Sequence, residues 1–232
     1  YVTLTEYDPV FGQIASSTDP NGLVTNNSYD ALGRLKEVKI SNPDNPSQLV
    51  TKQQITYYDT NLPRYSELKD YFTTSNYTTS REYYDGLDRI IQKKIQTDNA
   101  SEWSTVDINY DEQGRVERES LPYYTSSVSY SSADLNQPAK TYTYDAAGRI
   151  TTETTPVGAT TYHYDGFTTI ITDANGDRKD LSKDAYGNLV EVKEYTVTPD
   201  FEFEVDVDTA ALWHMNGPVA SASKKDNEEG TP

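Results

Sequence analysis

The stretch "YDALGRL" (Tyr29–Leu35) decides how this chain folds. Its pattern, Y-D-x-x-G-[R/N/Q]-[L/I/V], returns complete as "YDEQGRV" (Tyr110–Val116) and "YDAAGRI" (Tyr144–Ile150). A looser copy joins Tyr7 and Asp8 to Gly12, Gln13 and Ile14, with one extra residue in the gap. "YDGLDRI" (84–90) begins on Tyr84 and Asp85, sets Asp88 in the glycine slot and keeps Arg89. "KDAYGNL" (183–189) keeps Asp184 and Gly187 behind Lys183. "YDTNLPR" (58–64) and "YDGFTTI" (164–170) hold only the first half. A catalytic motif is needed once, whereas a motif that recurs at this rate is architecture.

A second turn sits between some of these copies, as "DPNG" at 19–22 and "DANG" at 173–176. Asp8, Asp19 and Asp30 are 11 residues apart, as are Asp173 and Asp184. Eleven residues divide into a short turn and a strand. Two turns of alternate kind therefore make one hairpin of an antiparallel meander.

The residue types follow from turn chemistry. An Asp opens the turn by accepting a hydrogen bond from the backbone N–H two residues on. Asp8, Asp30, Asp85, Asp111, Asp145 and Asp184 hold that place. Pro20 brings a φ already set for a type I turn. Gly12, Gly33, Gly114, Gly148 and Gly187 close the turn in the left-handed region, giving a three-residue loop with a G1 bulge. Asp88 is tolerable there because Asp visits that region more readily than most residues. Leu62 is not, so a different turn is expected near 60–63.

The intervening strands, such as "QIASST" and "RLKEVKI", are short and polar, with weak alternation that predicts partial burial. "ELKDYF" at 67–72 reads as one helical turn. Two longer intervals, 41–50 and 121–138, are rich in Pro, Asn and Ser and read as loops on one rim. Residues 1–198 are thus expected to form a hairpin array. From 199 to 232 the style changes: "FEFEVDVD" (201–208) alternates perfectly and a polar tail follows. This part reads as a strand-like linker, the truncated start of another module and a disordered end.

Composition fits a thin, wet sheet. The 232 residues are 34 % apolar with mean hydropathy −0.79, and 20 Tyr outnumber 5 Phe and 2 Trp. Tyrosine buries a ring while its hydroxyl stays hydrogen-bonded. A net charge of −17 argues against nucleic acid and anionic membrane surfaces. No cysteine is present, which excludes disulfides and thiolate metal sites. No apolar run reaches the roughly 20 residues of a membrane helix. The chain opens on the strand-like "YVTLTEYDP" without an initiator Met and reads as a piece of a longer polypeptide.

The repeated "YDALGRL", "YDEQGRV" and "YDAAGRI", alternating with "TDPNG" and "TDANG", resemble the YD repeats of the Rhs family. Insecticidal toxin-complex shell subunits and teneurins share that repeat. "RVERESLPYY" followed by "TYTYDAAGRITTETTPVGATTYHYDG" resembles the toxin-complex type, and the likeness covers about residues 1–198. It implies an all-β antiparallel array of hairpins, here a sector of a sheet that spirals into a shell. It also implies a structural role without cofactors in a large secreted or surface-displayed bacterial protein. Adjacent modules of the same polypeptide would be the partners, with an enclosed polypeptide or glycans as further ones. The family's "DPxxGL"-type self-cleavage segment has no counterpart, since Asp19-Pro20 runs on as Asn-Gly-Leu-Val, a repeat turn. "DTAALWHMNG" (208–217) faintly resembles the opening of a laminin-G or concanavalin-A-like domain.

Candidate chemistry is sparse. His163 and His214 are the two histidines, and His163 reads as a strand side chain before a turn rather than a ligand or base. Among 37 carboxylates no pair is marked for acid–base work, so no catalytic residue is assigned. Asp173, Asn175 and Asp177 match positions 1, 3 and 5 of an EF-like calcium loop, with Asp184 at 12. Arg178 stands where that loop needs Gly. The repeat turn already accounts for Asp173 and Gly176. Tyr29, Tyr84, Tyr110 and Tyr144 could offer a sugar-stacking surface, but their regular spacing favours a ladder of rings between neighbouring hairpins. Arg34, Arg89, Arg115 and Arg149 are each expected to reach the Asp of a neighbouring turn.

Overall fold

A computed structural model describes residues 3–195. All regular structure in them is β, in hairpins that pair antiparallel. The chain divides into two compact units, residues 1–161 and 162–232. The expected boundary at 198/199, "FEFEVDVD", the 208–217 resemblance and His214 all lie outside the described residues.

In the first unit, β1 (Leu4–Tyr7), β2 (Ile14–Thr18), β3 (Val24–Tyr29), β4 (Leu35–Asn42) and β5 (Asn45–Tyr58) each pair with the next. The meander continues through β6 (Arg64–Tyr71), β7 (Tyr77–Tyr84), β8 (Ile90–Gln96) and β9 (Trp103–Tyr110). There it splits. One half of β9 pairs with β10 (Val116–Ser120) and the other with β11 (Tyr123–Thr125). The chain then leaves the sheet and returns as β12 (Ala139–Tyr144), which pairs with β10. β13 (Ile150–Thr155) and the start of β14 (Gly158–Asp165) complete the unit. In the second unit, β15 (Thr168–Thr172), β16 (Arg178–Lys183) and β17 (Leu189–Tyr195) pair in sequence. His163 lies within β14.

Three sequence expectations are corrected here. Residues 67–72 are not helical: Glu67 to Tyr71 lie in β6, where Glu67 faces Arg81 and Leu68 faces Ser80 across β7. Cross-strand pairing outweighs the weak local helical preference. Residues 41–50 are not a rim loop. Strands β4 and β5 run on to an Asn42–Asn45 pair, and Asn42 Oδ1 accepts the Asp44 N–H to close a two-residue turn. Residues 121–138 do not stay on a rim either. They form a strap across the face of β7–β10, anchored at its base by the Leu121 N–H on the Pro138 carbonyl.

Most of the buried residues gather under this strap, Ser41 on β4 being an exception. Tyr83 and Trp103 are the buried hydrophobic side chains, while Gln92, Lys94, Thr105, Asp107 and Ser120 are buried and polar. In register terms Tyr83, Gln92 and Asp107 form one cross-strand row, and Arg81, Lys94 and Thr105 the next. Period-2 alternation places both rows on the same face. β8, "IIQKKIQ", turns inside out relative to hydropathy: Gln92 and Lys94 are inside and Ile95 is 52 % exposed.

Candidate functional site

The repeat turns have one geometry. In "YDALGRL" the Gly33 N–H donates to the Asp30 carbonyl at 3.0 Å and the Asp30 N–H to the Arg34 carbonyl at 2.9 Å. Those two bonds define a type I turn closed by a G1 bulge. Gly33 has φ +79° and Asp88, its counterpart, φ +67°. Asp30 Oδ1 accepts the backbone N–H of Leu32 and of Arg34. Asp85, Asp111, Asp145 and Asp184 do the same at their turns. Asp8, in its longer loop, takes Val10 and Phe11 N–H, and the Gly12 N–H reaches its carbonyl. Near 60–63 the chain takes another path, with a cis peptide at Leu62–Pro63.

A feature unread in the sequence follows the turns that begin at Tyr7, Tyr29, Tyr84, Tyr110, Tyr144 and Lys183, though not the one at Tyr58. Tyr29 faces Leu35 but Ser28 faces Glu37, which leaves Lys36 as an extra residue. The same slip leaves Ile91, Glu117, Thr151 and Val190 unmatched beyond their turns. Strands β2 and β3, joined by "DPNG", pair without it. The two kinds of turn thus differ by a second bulge, which adds local twist.

Arg34 and Arg115 reach the Asp of a neighbouring turn as expected, Arg115 at that residue's carbonyl, but a bond within the turn was not foreseen. Each of the four arginines folds back on the Asp of its own turn: Nε to Oδ2 is 2.8 Å for Arg34–Asp30 and Arg89–Asp85, and 2.7 Å for Arg115–Asp111 and Arg149–Asp145. The G1 turn causes this, because it sets Asp and Arg opposite each other. The terminal nitrogens remain for the neighbour. Arg34 forks onto both Asp59 oxygens at 2.9 and 2.8 Å, and Arg115 Nη1 reaches the Asp145 carbonyl. Although desolvation would raise it, the Asp30 carboxyl is held below its ordinary value by the Arg34 backbone and guanidinium and the Leu32 N–H. Asp85 and Asp111 are lowered against the same desolvation, chiefly by their own Arg89 and Arg115. At Asp145 the Arg149 N–H leads, and at Asp184 the Asn188 side chain does.

Tyr29, Tyr84, Tyr110 and Tyr144 do not stack on one another. Three of the guanidiniums cap a ring of a following hairpin: Arg34 lies 3.9 Å over Tyr57, Arg89 4.4 Å over Tyr110 and Arg115 4.4 Å over Tyr144. The hydroxyl of the capped ring donates to the carbonyl of the residue after that Arg: Tyr57 to Leu35, Tyr110 to Ile90, Tyr144 to Val116. Tyr29 makes the matching bond to Ile14, where Gln13 replaces the Arg and donates to the Gly33 carbonyl. Tyr84 departs, sharing a hydrogen bond with Ser66 and donating to Glu82. Tyr7 is 63 % exposed. The ring-on-ring run is made by other residues, Tyr58, Tyr65, Tyr83 and Tyr130. Each capped ring thus has a structural partner on one face and gives its hydroxyl to a backbone carbonyl.

At the calcium candidate, Asp173 Oδ1 accepts the N–H of Asn175 and Asp177, and the Gly176 N–H meets the Asp173 carbonyl. Asp173 is spent on the turn. No cluster of three or more His, Cys, Asp or Glu able to hold a metal occurs among the described residues, nor does a helix long and apolar enough to cross a membrane.

The site the sequence did not reveal is the polar floor beneath the strap. Asp107 is fully buried, and its Oδ1 accepts from Gln92 Nε2 at 2.6 Å. Its Oδ2 accepts from the Tyr123 hydroxyl at 2.7 Å and the Asp134 N–H at 3.0 Å. Burial, then the bond to Asp107, pushes the Tyr123 phenol well above its ordinary value, so it stays a donor. Lys94, 1 % exposed, donates to the Ser127 carbonyl at 2.9 Å and to Thr125 Oγ1. Burial lowers its ammonium from the usual value, an effect the Asp107 charge opposes. This arrangement holds a chain. It aims no nucleophile at a base. One signal could have found it: an 18-residue interval is too long for a hairpin connection.

The comparisons agree with this geometry. The RHS Repeat family model matches residues 7–46, 139–160 and 144–178. No curated protein matches the sequence significantly. Among solved structures, the crystal structure of TcdB2–TccC3–Cdc42 shares the fold at TM-score 0.60 and 14 % identity, over 83 % of this chain and 15 % of that one. The crystal structure of TcdB2–TccC3–TEV does so at TM-score 0.58 and 15 % identity, over 82 % and 15 %. The chain thus spans a small fraction of the length of the chains it matches.

Proposed function

We propose, from the premise that this chain carries RHS repeats, that it is a length of structural wall in a large bacterial protein of the toxin-complex shell type. The carrying observation is the clasp between hairpins. An Arg-[Leu/Ile/Val] pair of one repeat caps the ring and takes the hydroxyl of a tyrosine in a following hairpin, at 3.9–4.4 Å and 2.8–3.0 Å for the Leu35 and Ile90 copies. Such a clasp can be repeated indefinitely, because each repeat needs only its neighbour. Its work is mechanical, and it needs neither cofactor nor catalytic group. The partners are adjacent modules of the same polypeptide, and the protein is secreted or displayed at the surface. The full polypeptide that contains this segment is the material for the test. Electron microscopy should resolve it as a curved wall with these hairpins in it, and a solid globular domain in their place would sink the reading.

A further inference from the structure

From Ser127 to Gln137 the strap is bound to the sheet largely through its main chain, while Tyr123, Thr125 and Tyr130 add side-chain contacts to Asp107, Thr105 and Tyr83. Lys94 Nζ donates to the Ser127 carbonyl at 2.9 Å and the Tyr83 hydroxyl to the Val128 carbonyl at 2.6 Å. Gln92 grips Ser131 on both sides, Nε2 to its carbonyl at 3.0 Å and Oε1 from its N–H at 3.3 Å. Asp107 takes the Asp134 N–H, and Arg118 donates to the Gln137 carbonyl at 2.7 Å. Arg118 Nη1 is buried with no partner, a donor to spare on the same face. From Ser127 to Gln137 these contacts use groups that every non-proline residue carries. The strap is rich in Ser, and Asp134 is its single charged residue.

We propose that the face formed by Tyr83, Gln92, Lys94, Asp107 and Arg118 is a polypeptide-binding surface that reads main chain, and that the strap is its occupant in cis. The ligand class is a segment of small, mostly uncharged residues that follows the strap's bent path. Side chains that meet carbonyls and N–H groups tolerate many sequences, provided that the segment brings little added bulk or charge against buried Lys94 and Asp107. A tethered occupant competes at an effective concentration of roughly millimolar, so the surface takes a second chain only when the strap is released. This inference stands on the strap contacts and is independent of the wall reading.

The test uses the full chain with a site-specific protease sequence inserted at each end of the strap, after Leu121 and before Pro138, and cut after folding. The freed fragment should co-elute with the body on gel filtration. A fluorescent synthetic peptide of residues 122–137 should then replace it, read by anisotropy. A peptide that keeps residues 122–125 and scrambles 126–137 should bind within about tenfold of it, as main-chain reading requires. A peptide N-methylated at Ser131, and the Gln92→Ala variant with the parent peptide, should each bind at least about tenfold more weakly. Three results would overturn the proposal. They are loss of the fragment without rebinding at about 1 mM peptide, roughly the concentration at which tethering acts, failure of the scrambled peptide, and unfolding of the cut protein by circular dichroism. The last would make the strap a covalent necessity and not an occupant.

Discussion

The β3–β4 and β7–β8 hairpins share a turn and differ in everything above it. In each, Asp opens the turn, the fourth residue takes φ near +70 to +80°, and the Asp N–H meets the Arg carbonyl at 2.9 Å. Both carry the second bulge. Yet β3 and β4 bury Ser41 alone, whereas β7 and β8 bury Thr79, Tyr83, Gln92 and Lys94. The strap makes the difference. Turn chemistry sets where the chain reverses. What is buried depends on a segment arriving from 30 to 50 residues further along, as in the Tyr83–Val128 and Gln92–Ser131 bonds.

The strongest way to break this comparison is Asp107→Ala. It strands the Gln92 amide, the Tyr123 hydroxyl and the Asp134 N–H, and should cost about 3–4 kcal/mol in urea unfolding. The matching truncation under no strap, Asn26→Ala, removes a buried oxygen that has no partner and should stay within about 0.5 kcal/mol. Equal losses would mean that the strap does not distinguish the two regions.

Next come the turns themselves. A Cβ at Gly33 would be strained at φ +79° and would sit 2.9 Å from Phe11 Cδ1. Gly166 shares a positive φ of +56° but faces open space. Gly33→Val should therefore cost about 2 kcal/mol and Gly166→Val about 1. Thermal melts showing equal shifts would count against the tight closure at Gly33. Gly86→Ala, with no positive φ and nothing nearby, should be neutral or slightly stabilising.

Lys94→Met tests the same floor by charge. Replacing the ammonium with an apolar side chain of similar length strands the Ser127 carbonyl and should cost about 1–2 kcal/mol. The pH dependence is the clearer readout. Burial lowers the folded ammonium below the ordinary 10.5, so over that window the unfolded chain binds more protons and stability rises with pH. As pH rises toward 10.5 the wild type should gain stability that the Met variant does not. Parallel curves would refute the burial of a charged Lys94.

The smallest effect tests the clasp. Tyr144→Phe keeps the ring under Arg115 and removes the bond to the Val116 carbonyl, costing about 1 kcal/mol. Arg115→Lys keeps the charge but loses the planar cap and the Nε bond to Asp111, for about 0.5–1 kcal/mol. If Tyr144→Phe were silent, the clasp would be an incidental contact.

How much was legible follows from the range of each interaction. The turns could be read because an Asp and the N–H two residues on are neighbours in any fold, and because glycine's left-handed preference is intrinsic. Arg34 could be read as pairing with the Asp of a neighbouring turn, and it reaches Asp59, but its second partner was missed. Its own Asp30 lies opposite only once the bulge has formed, and Asp59 lies near only once β5 has paired. The tyrosine spacing correctly suggested periodic contacts between hairpins but not their kind, since ring against guanidinium depends on the stagger of adjacent strands. "ELKDYF" misled because its strand character comes from Arg81 and Ser80 across the sheet.

By itself, then, the sequence determined an all-β array of antiparallel hairpins, its turn positions and its thin, tyrosine-rich character, because these rest on local hydrogen bonds, backbone preferences and composition. Only the tertiary structure decided that residues 121–138 cross the sheet and that Gln92, Lys94 and Asp107 lie inside while Ile95 lies outside. A buried polar side chain is stable only where a partner meets it, and here the partner is a distant stretch of main chain with no side-chain signature to announce it.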